Sequence, residues 1–154
     1  MRVASSSVAL RGQLFAKCRG GRQINGFLAV HAQRVLHRGF CDASVGIGYA
    51  DARRFVRTAP LRYDVIVADN FHPARSGSAA LYTVDHFHAV RQRLADQGLF
   101  CQWLPLHQLD LETLRGITAS FLAAFPDGVA ILASHSLDTP TLGLVGRNGP
   151  TYVA

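Results

Sequence analysis

Tyr63-Asp64-Val65-Ile66-Val67-Ala68-Asp69 is a continuous β-branched, apolar run between polar ends, the pattern of a central strand covered on both faces. Just upstream, residues 45–50 alternate small and branched side chains and stop at Asp51. That predicts a short strand turning into a helical piece over 52–57, ahead of Pro60. Downstream, residues 70–79 hold Pro73, Gly77 and two serines, a loop of the length that commonly lies over a site. A helix is predicted over 83–96, where Thr83 can cap, Asp85 suits the first turn, Phe87, Val90 and Leu94 share a face, and Gly98 can take the left-handed stop.

Leu99-Phe100-Cys101-Gln102-Trp103-Leu104 reads as a second buried strand. Asp110 caps the strongest helical pattern in the chain, with Leu111, Leu114, Ile117, Phe121, Leu122 and Phe125 at three-four spacing before Pro126. Residues 129–133 and 141–145 read as closing strands, too close together for a helical crossover and therefore antiparallel. Helices alternating with strands imply an α/β fold on a mostly parallel sheet, with an antiparallel final strand pair.

The 154 residues are 49% hydrophobic and 17% charged, which describes a globular chain with material for one domain. Three cysteines, Cys18, Cys41 and Cys101, form no C-x-x-C pair, against a disulfide framework or zinc knuckle and in favour of a reducing, cytoplasmic compartment. No apolar run approaches the roughly 20 residues of a membrane-spanning helix. The net charge of +6 is uneven. Eleven Lys and Arg face two acids up to Arg62, and five Arg face eight acids beyond it. The arginines are scattered without interleaved aromatics, so solvated charge is favoured over a nucleic-acid surface. Residues 1–44, with Gly20-Gly21 and Ser5-Ser6-Ser7, show no clear hydrophobic period apart from a short helical pattern near Phe27 to Leu36. They read as a poorly defined basic segment preceding the α/β part at 45–154.

Ligands in open α/β sheets bind beyond the carboxyl ends of the strands. Asp51, Asp69 and Gln102 stand at or near those ends and are expected on one rim. Other chemistry-bearing residues are weaker candidates. His86 and His88 lie two apart on a helix and point away from each other, Cys101 sits in an apolar strand, Trp103 suits a core, Ser76-Gly77-Ser78 matches no nucleophile elbow, and His135 and Asp138 lack a nucleophile partner.

The order Asp51-Ala52-Arg53-Arg54-Phe55, Tyr63 to Asp69, Pro73, Leu81-Tyr82-Thr83 and Gly98-Leu99-Phe100-Cys101-Gln102-Trp103 resembles the catalytic domain of the spermidine synthase (polyamine aminopropyltransferase) family, in its C-terminal half and its synthase-like branch. The resemblance covers about 45–147. It implies a Rossmann-like fold of the S-adenosylmethionine-dependent methyltransferase type, and transfer of an aminopropyl group from decarboxylated S-adenosylmethionine to a diamine such as putrescine, in polyamine biosynthesis. The donor would be a co-substrate, not a tightly bound cofactor. By the same resemblance Asp69 is the general base, Asp51 with Ala52 holds the donor's adenine, and Tyr82, Gln102 and His72 line the acceptor end.

An amine with a pKa near 10.4 must lose a proton before attacking carbon, and a carboxylate both attracts the cation and accepts that proton. His72 stands where the family has a second acid, and a glycine-rich turn after a first strand with an acid after a second is not found. The N-terminal part of the fold is therefore expected to be missing. A non-catalytic fragment of the family, or a methyltransferase-like module using S-adenosylmethionine, are the alternatives. An uncovered sheet edge would also make the chain self-associate as a homo-oligomer.

Overall fold

The computed structural model describes residues 3–9, 12–18, 45–69, 72–74, 77–133 and 139–149, with side chains from residue 51 onward. Seven strands form one mixed sheet: β1 (Val3–Ala9), β2 (Gly12–Cys18), β3 (Val45–Ala50), β4 (Tyr63–Ala68), β5 (Leu94–Pro105), β6 (Val129–Ala133) and β7 (Thr141–Arg147). Their order is β3-β2-β1-β4-β5-β7-β6. β4 runs parallel to β1 and to β5, whereas β1–β2, β2–β3, β5–β7 and β7–β6 are antiparallel. The sheet is thus mixed, not mostly parallel, and two strands come from the stretch where no period was legible.

Three α-helices, α1 (Ala52–Thr58), α2 (Val84–Gln92) and α3 (Leu111–Ala124), and 3-10 turns at Ser78–Tyr82 and Leu106–Gln108 complete the described chain. The caps predicted at Thr83 and Asp110 form, and Asp51 caps α1 as well. Asp51 accepts from the Arg54 amide at 2.8 Å, Thr83 from the His86 amide at 3.3 Å, and Asp110 from the Thr113 amide at 2.7 Å. Alternation along the strands puts Ile66, Ala68, Phe100, Gln102, Leu104 and Leu144 against the helices. On that side Phe87 of α2, Phe100 of β5, Phe121 of α3 and Phe125 at the C-cap of α3 meet with ring centroids 5.0–6.1 Å apart. All four are at most 1% exposed. Such pairs add about 0.5–1.5 kcal/mol beyond the area they bury. Gly146 of β7 leaves room for the cluster, since a Cβ there would collide with the Phe125 ring.

Two arginines beside the end of α2 tie the helices together. Arg91 donates Nη1 to the Ala124 carbonyl at 2.6 Å and lies 5.9 Å from the Phe125 ring centre, and Arg93 donates to the Val56 and Arg57 carbonyls, both at 2.7 Å. Each thereby satisfies a helix-end carbonyl that would otherwise lack a partner.

The stretch 94–98 departs from the sequence expectation. The helix predicted over 83–96 stops at Gln92, and β5 begins at Leu94 with its register against β4 shifting between Tyr63 and Val65. Gln97, not Gly98, takes the positive φ of 58°. Gly98 is needed for closeness, because a Cβ there would sit 2.9 Å from the Tyr63 carbonyl oxygen.

Phe121→Ala is expected to lower the unfolding free energy by about 3–5 kcal/mol in urea titration. Leu122→Ala, at a 40% exposed position on the same helix, should cost less than about 1 kcal/mol.

Candidate functional site

Pairing of Ala68 with Gln102 in the parallel β4–β5 ladder brings Asp69 level with Gln102 and Trp103 at the carboxyl rim. The Gln102 side chain is only 1% exposed, and its amide donates to the Asp69 carbonyl at 3.2 Å and the Trp103 carbonyl at 3.0 Å. Its Oε1 is buried without a hydrogen-bond partner among the described residues. A buried acceptor left unpaired costs about 1–3 kcal/mol, so a donor brought there would recover that loss. Asp69 itself is half-buried, and it meets Gln102 through its backbone carbonyl.

Asp51 shares the rim but not the corner. β3 runs in the same direction as β4, yet β2 and β1 lie between them, a separation of roughly 14 Å at about 4.8 Å per strand. Its carboxylate caps α1, and the neighbouring Ala52 is buried. Tyr82 is buried at the end of the 3-10 turn that leads into α2. His72 is half-buried and accepts the Ala74 amide on Nδ1 at 3.1 Å, which leaves Nε2 to carry the proton of the neutral ring. Residues 70, 71, 75 and 76 of the same loop lie outside the described residues, as do His135 and Asp138.

The sequence weighs His86 only against a metal pair with His88, favouring a solvent-exposed or packing histidine, and gives it no charge partner. His86 is 4% exposed, and among the described residues its Nδ1 and the buried Arg53 Nε of α1 have no hydrogen-bond partner. Burial, reinforced by the Arg53 and Arg57 charges and opposed by Asp51, lowers its pKa from 6.5 to about 4. Its four-residue spacing from Val90, on the face that also buries Phe87, was the available signal. Cys101 is half-buried, and burial pushes its thiol up to about 11, so it is a poor nucleophile at neutral pH. Among the described residues no group of three or more His, Cys, Asp or Glu could hold a metal ion, and no helix is long and apolar enough to cross a membrane.

A separate open cleft of about 390 Å³ lies at the opposite edge, lined by Arg62, His88, Arg91, Gln92 and Asn148. Two of its walls are already committed: Arg91 to Ala124, and Asn148 through Nδ2 to the Leu94 and Ala95 carbonyls.

No protein-family model matches the chain, and no curated protein does. A solved methyltransferase from Pyrococcus furiosus is similar to it with a TM-score of 0.43 and 14% identity, over 58% of this chain and 43% of that one. The chain therefore spans less than half the length of that structure.

The depressed His86 pKa fixes a sign. The unfolded imidazole takes up a proton near pH 6.5 while the folded one stays neutral to about pH 4, so stability should fall as pH drops through that window. The full loss, at about 1.36 kcal/mol per unit, is on the order of 3 kcal/mol. Urea titrations between pH 7 and pH 4 should show this decline, and His86→Phe should flatten it.

Proposed function

We propose that the chain is an aminopropyltransferase-like module on a Rossmann-like sheet of the methyltransferase type. The sheet reading is supported by the 3-2-1-4-5-7-6 order, the parallel β1, β4 and β5, and the antiparallel closing pair. β2 departs from that pattern, being antiparallel to both β1 and β3.

The observation that carries the functional reading is the buried Oε1 of Gln102, unpartnered among the described residues, beside Asp69. By the family resemblance Asp69 supplies the charge that an ammonium group needs, and the Gln102 carbonyl supplies an acceptor. In the proposed reaction Asp69 removes a proton from one amine of the diamine. The nitrogen lone pair then forms a bond to the propyl carbon of the sulfonium donor. The carbon–sulfur bond breaks, its electrons stay on sulfur, and methylthioadenosine leaves. Positioning and electrostatics supply most of the acceleration, because a sulfonium is already a good leaving group.

The non-catalytic reading has its own support. Ala9 pairs with Gly12 across a tight β1–β2 hairpin, so β1 is not followed by the turn and helix N-terminus that usually cradle a nucleotide ligand. Asp51, meanwhile, is occupied as a cap. A methyltransferase-like module remains the third reading.

With decarboxylated S-adenosylmethionine and putrescine, the chain should turn over and Asp69→Asn should lose about 100-fold or more. Equal turnover in both would remove Asp69 from the reaction. Calorimetric titration with methylthioadenosine separates the readings, since saturable heat supports a donor site and its absence supports the non-catalytic fragment. Preference for S-adenosylmethionine over its decarboxylated form would favour the methyltransferase reading.

A further inference from the structure

β6 ends the sheet, and Val129-Ala130-Ile131-Leu132-Ala133 carries no charge, no proline and no break in its register with β7. Those are the features by which exposed edges normally resist pairing. Val129 is 58%, Ile131 44% and Leu132 67% exposed.

The direction of the free backbone groups follows from the other side of β7. The Leu106 amide donates to the Pro140 carbonyl at 3.1 Å and the Asn148 amide to the Gly98 carbonyl at 2.9 Å. Even-numbered residues along β7 therefore turn their backbone toward β5, and Thr141, Gly143 and Val145 turn theirs toward β6. Their partners there are Ala133, Ile131 and Val129. The Thr141 hydroxyl bonded to the Ala133 carbonyl at 2.9 Å agrees with that direction. The N–H and C=O groups left pointing away from the sheet are those of Ala130 and Leu132.

We propose that β6 pairs antiparallel with β6 of a second copy of this chain, about a two-fold axis at Ile131. In that register Ala130 of each copy faces Leu132 of the other, and each of these pairs exchanges two N–H···O bonds. The side chains complement one another: Leu132 meets Ala130, Val129 meets Ala133, and the two Ile131 side chains form a close non-hydrogen-bonded pair. Large stands against small away from the axis, and no charge is buried. This self-match is what singles out a second copy as the occupant, because a symmetric interface must fit its own image.

The apolar contact extends past the strand. A Cβ on Gly143 would lie 2.9 Å from both Ile131 and Trp103, so these side chains pack together over that glycine. Across the axis they form a stripe of Trp103, Ile131, Ile131 and Trp103. A ribbon of five residues a side falls at the small end of interfaces, below about 1,200 Å² in total. The dimer is accordingly reversible.

Sedimentation velocity of the full chain, from micromolar to millimolar protein, tests this. The wild type should shift from monomer to dimer as concentration rises. Ile131→Lys and Ile131→Glu should each stay monomeric, with circular dichroism confirming an unchanged fold. An equimolar mixture of the two should regain the dimer, because opposite charges then meet at the axis. The proposal is overturned by a wild type that is monomeric throughout, by variants that associate as it does, or by a mixture no heavier than its components. Binding of an extended peptide to β6 of a monomeric wild type would assign the edge to another partner and likewise overturn it.

Discussion

Four phenylalanines hold the helix layer on the sheet, and the placement of everything else follows from them. Phe100 comes from β5, Phe87 from the helix before it, and Phe121 and Phe125 from the helix after it and its C-cap. The cluster therefore joins segments far apart in the chain with the largest apolar side chains available. An interior packed to crystal-like density leaves little freedom for the angle at which α2 and α3 lie over β5. Gly128 and Gly146 show how tight the fit is, since a Cβ on either would strike the Phe121 or Phe125 ring.

That fit sets the level of the carboxyl rim. With Ile66 paired to Phe100, the same ladder two residues later must pair Ala68 with Gln102, and the chain leaves β4 at Asp69. The meeting of Gln102 with Asp69 is thus a consequence of core register. Asp51 is governed differently. It depends on β3, which reaches the sheet only through β2 and β1, so it occupies the same rim at a distance and is held by its own helix amide.

Much of this could be read from the chain before any coordinates. The β4 run, the helices begun by Thr83 and Asp110, and the antiparallel closing pair all carry local signals: a continuous apolar stretch, a capping hydroxyl or carboxylate, and a connection too short for a crossover. β1 and β2 carry none, because Ser5-Ser6-Ser7 has little strand propensity of its own and pairing with β4 is a tertiary matter. The early start of β5 was hidden for a similar reason. Asp96-Gln97-Gly98 has the composition of a helix stop, and only the approach of Gly98 to the Tyr63 carbonyl shows why the strand must pass there. Of the candidate site, the positions of Asp69 and Gln102 at strand ends were legible. The burial of the Arg53 Nε was not, because it depends on how α1 packs in the folded chain.

Arg91 and Arg93 add a consequence for motion. Both leave the C-terminal end of a nine-residue helix, one reaching the last carbonyl of α3 and the other the last carbonyls of α1. Were α2 to fray from that end, both neighbours would lose their carbonyl partners in the same event. A disturbance at that end of α2 is therefore felt at the ends of both neighbouring helices, which is the kind of linkage that makes separate segments open as one unit.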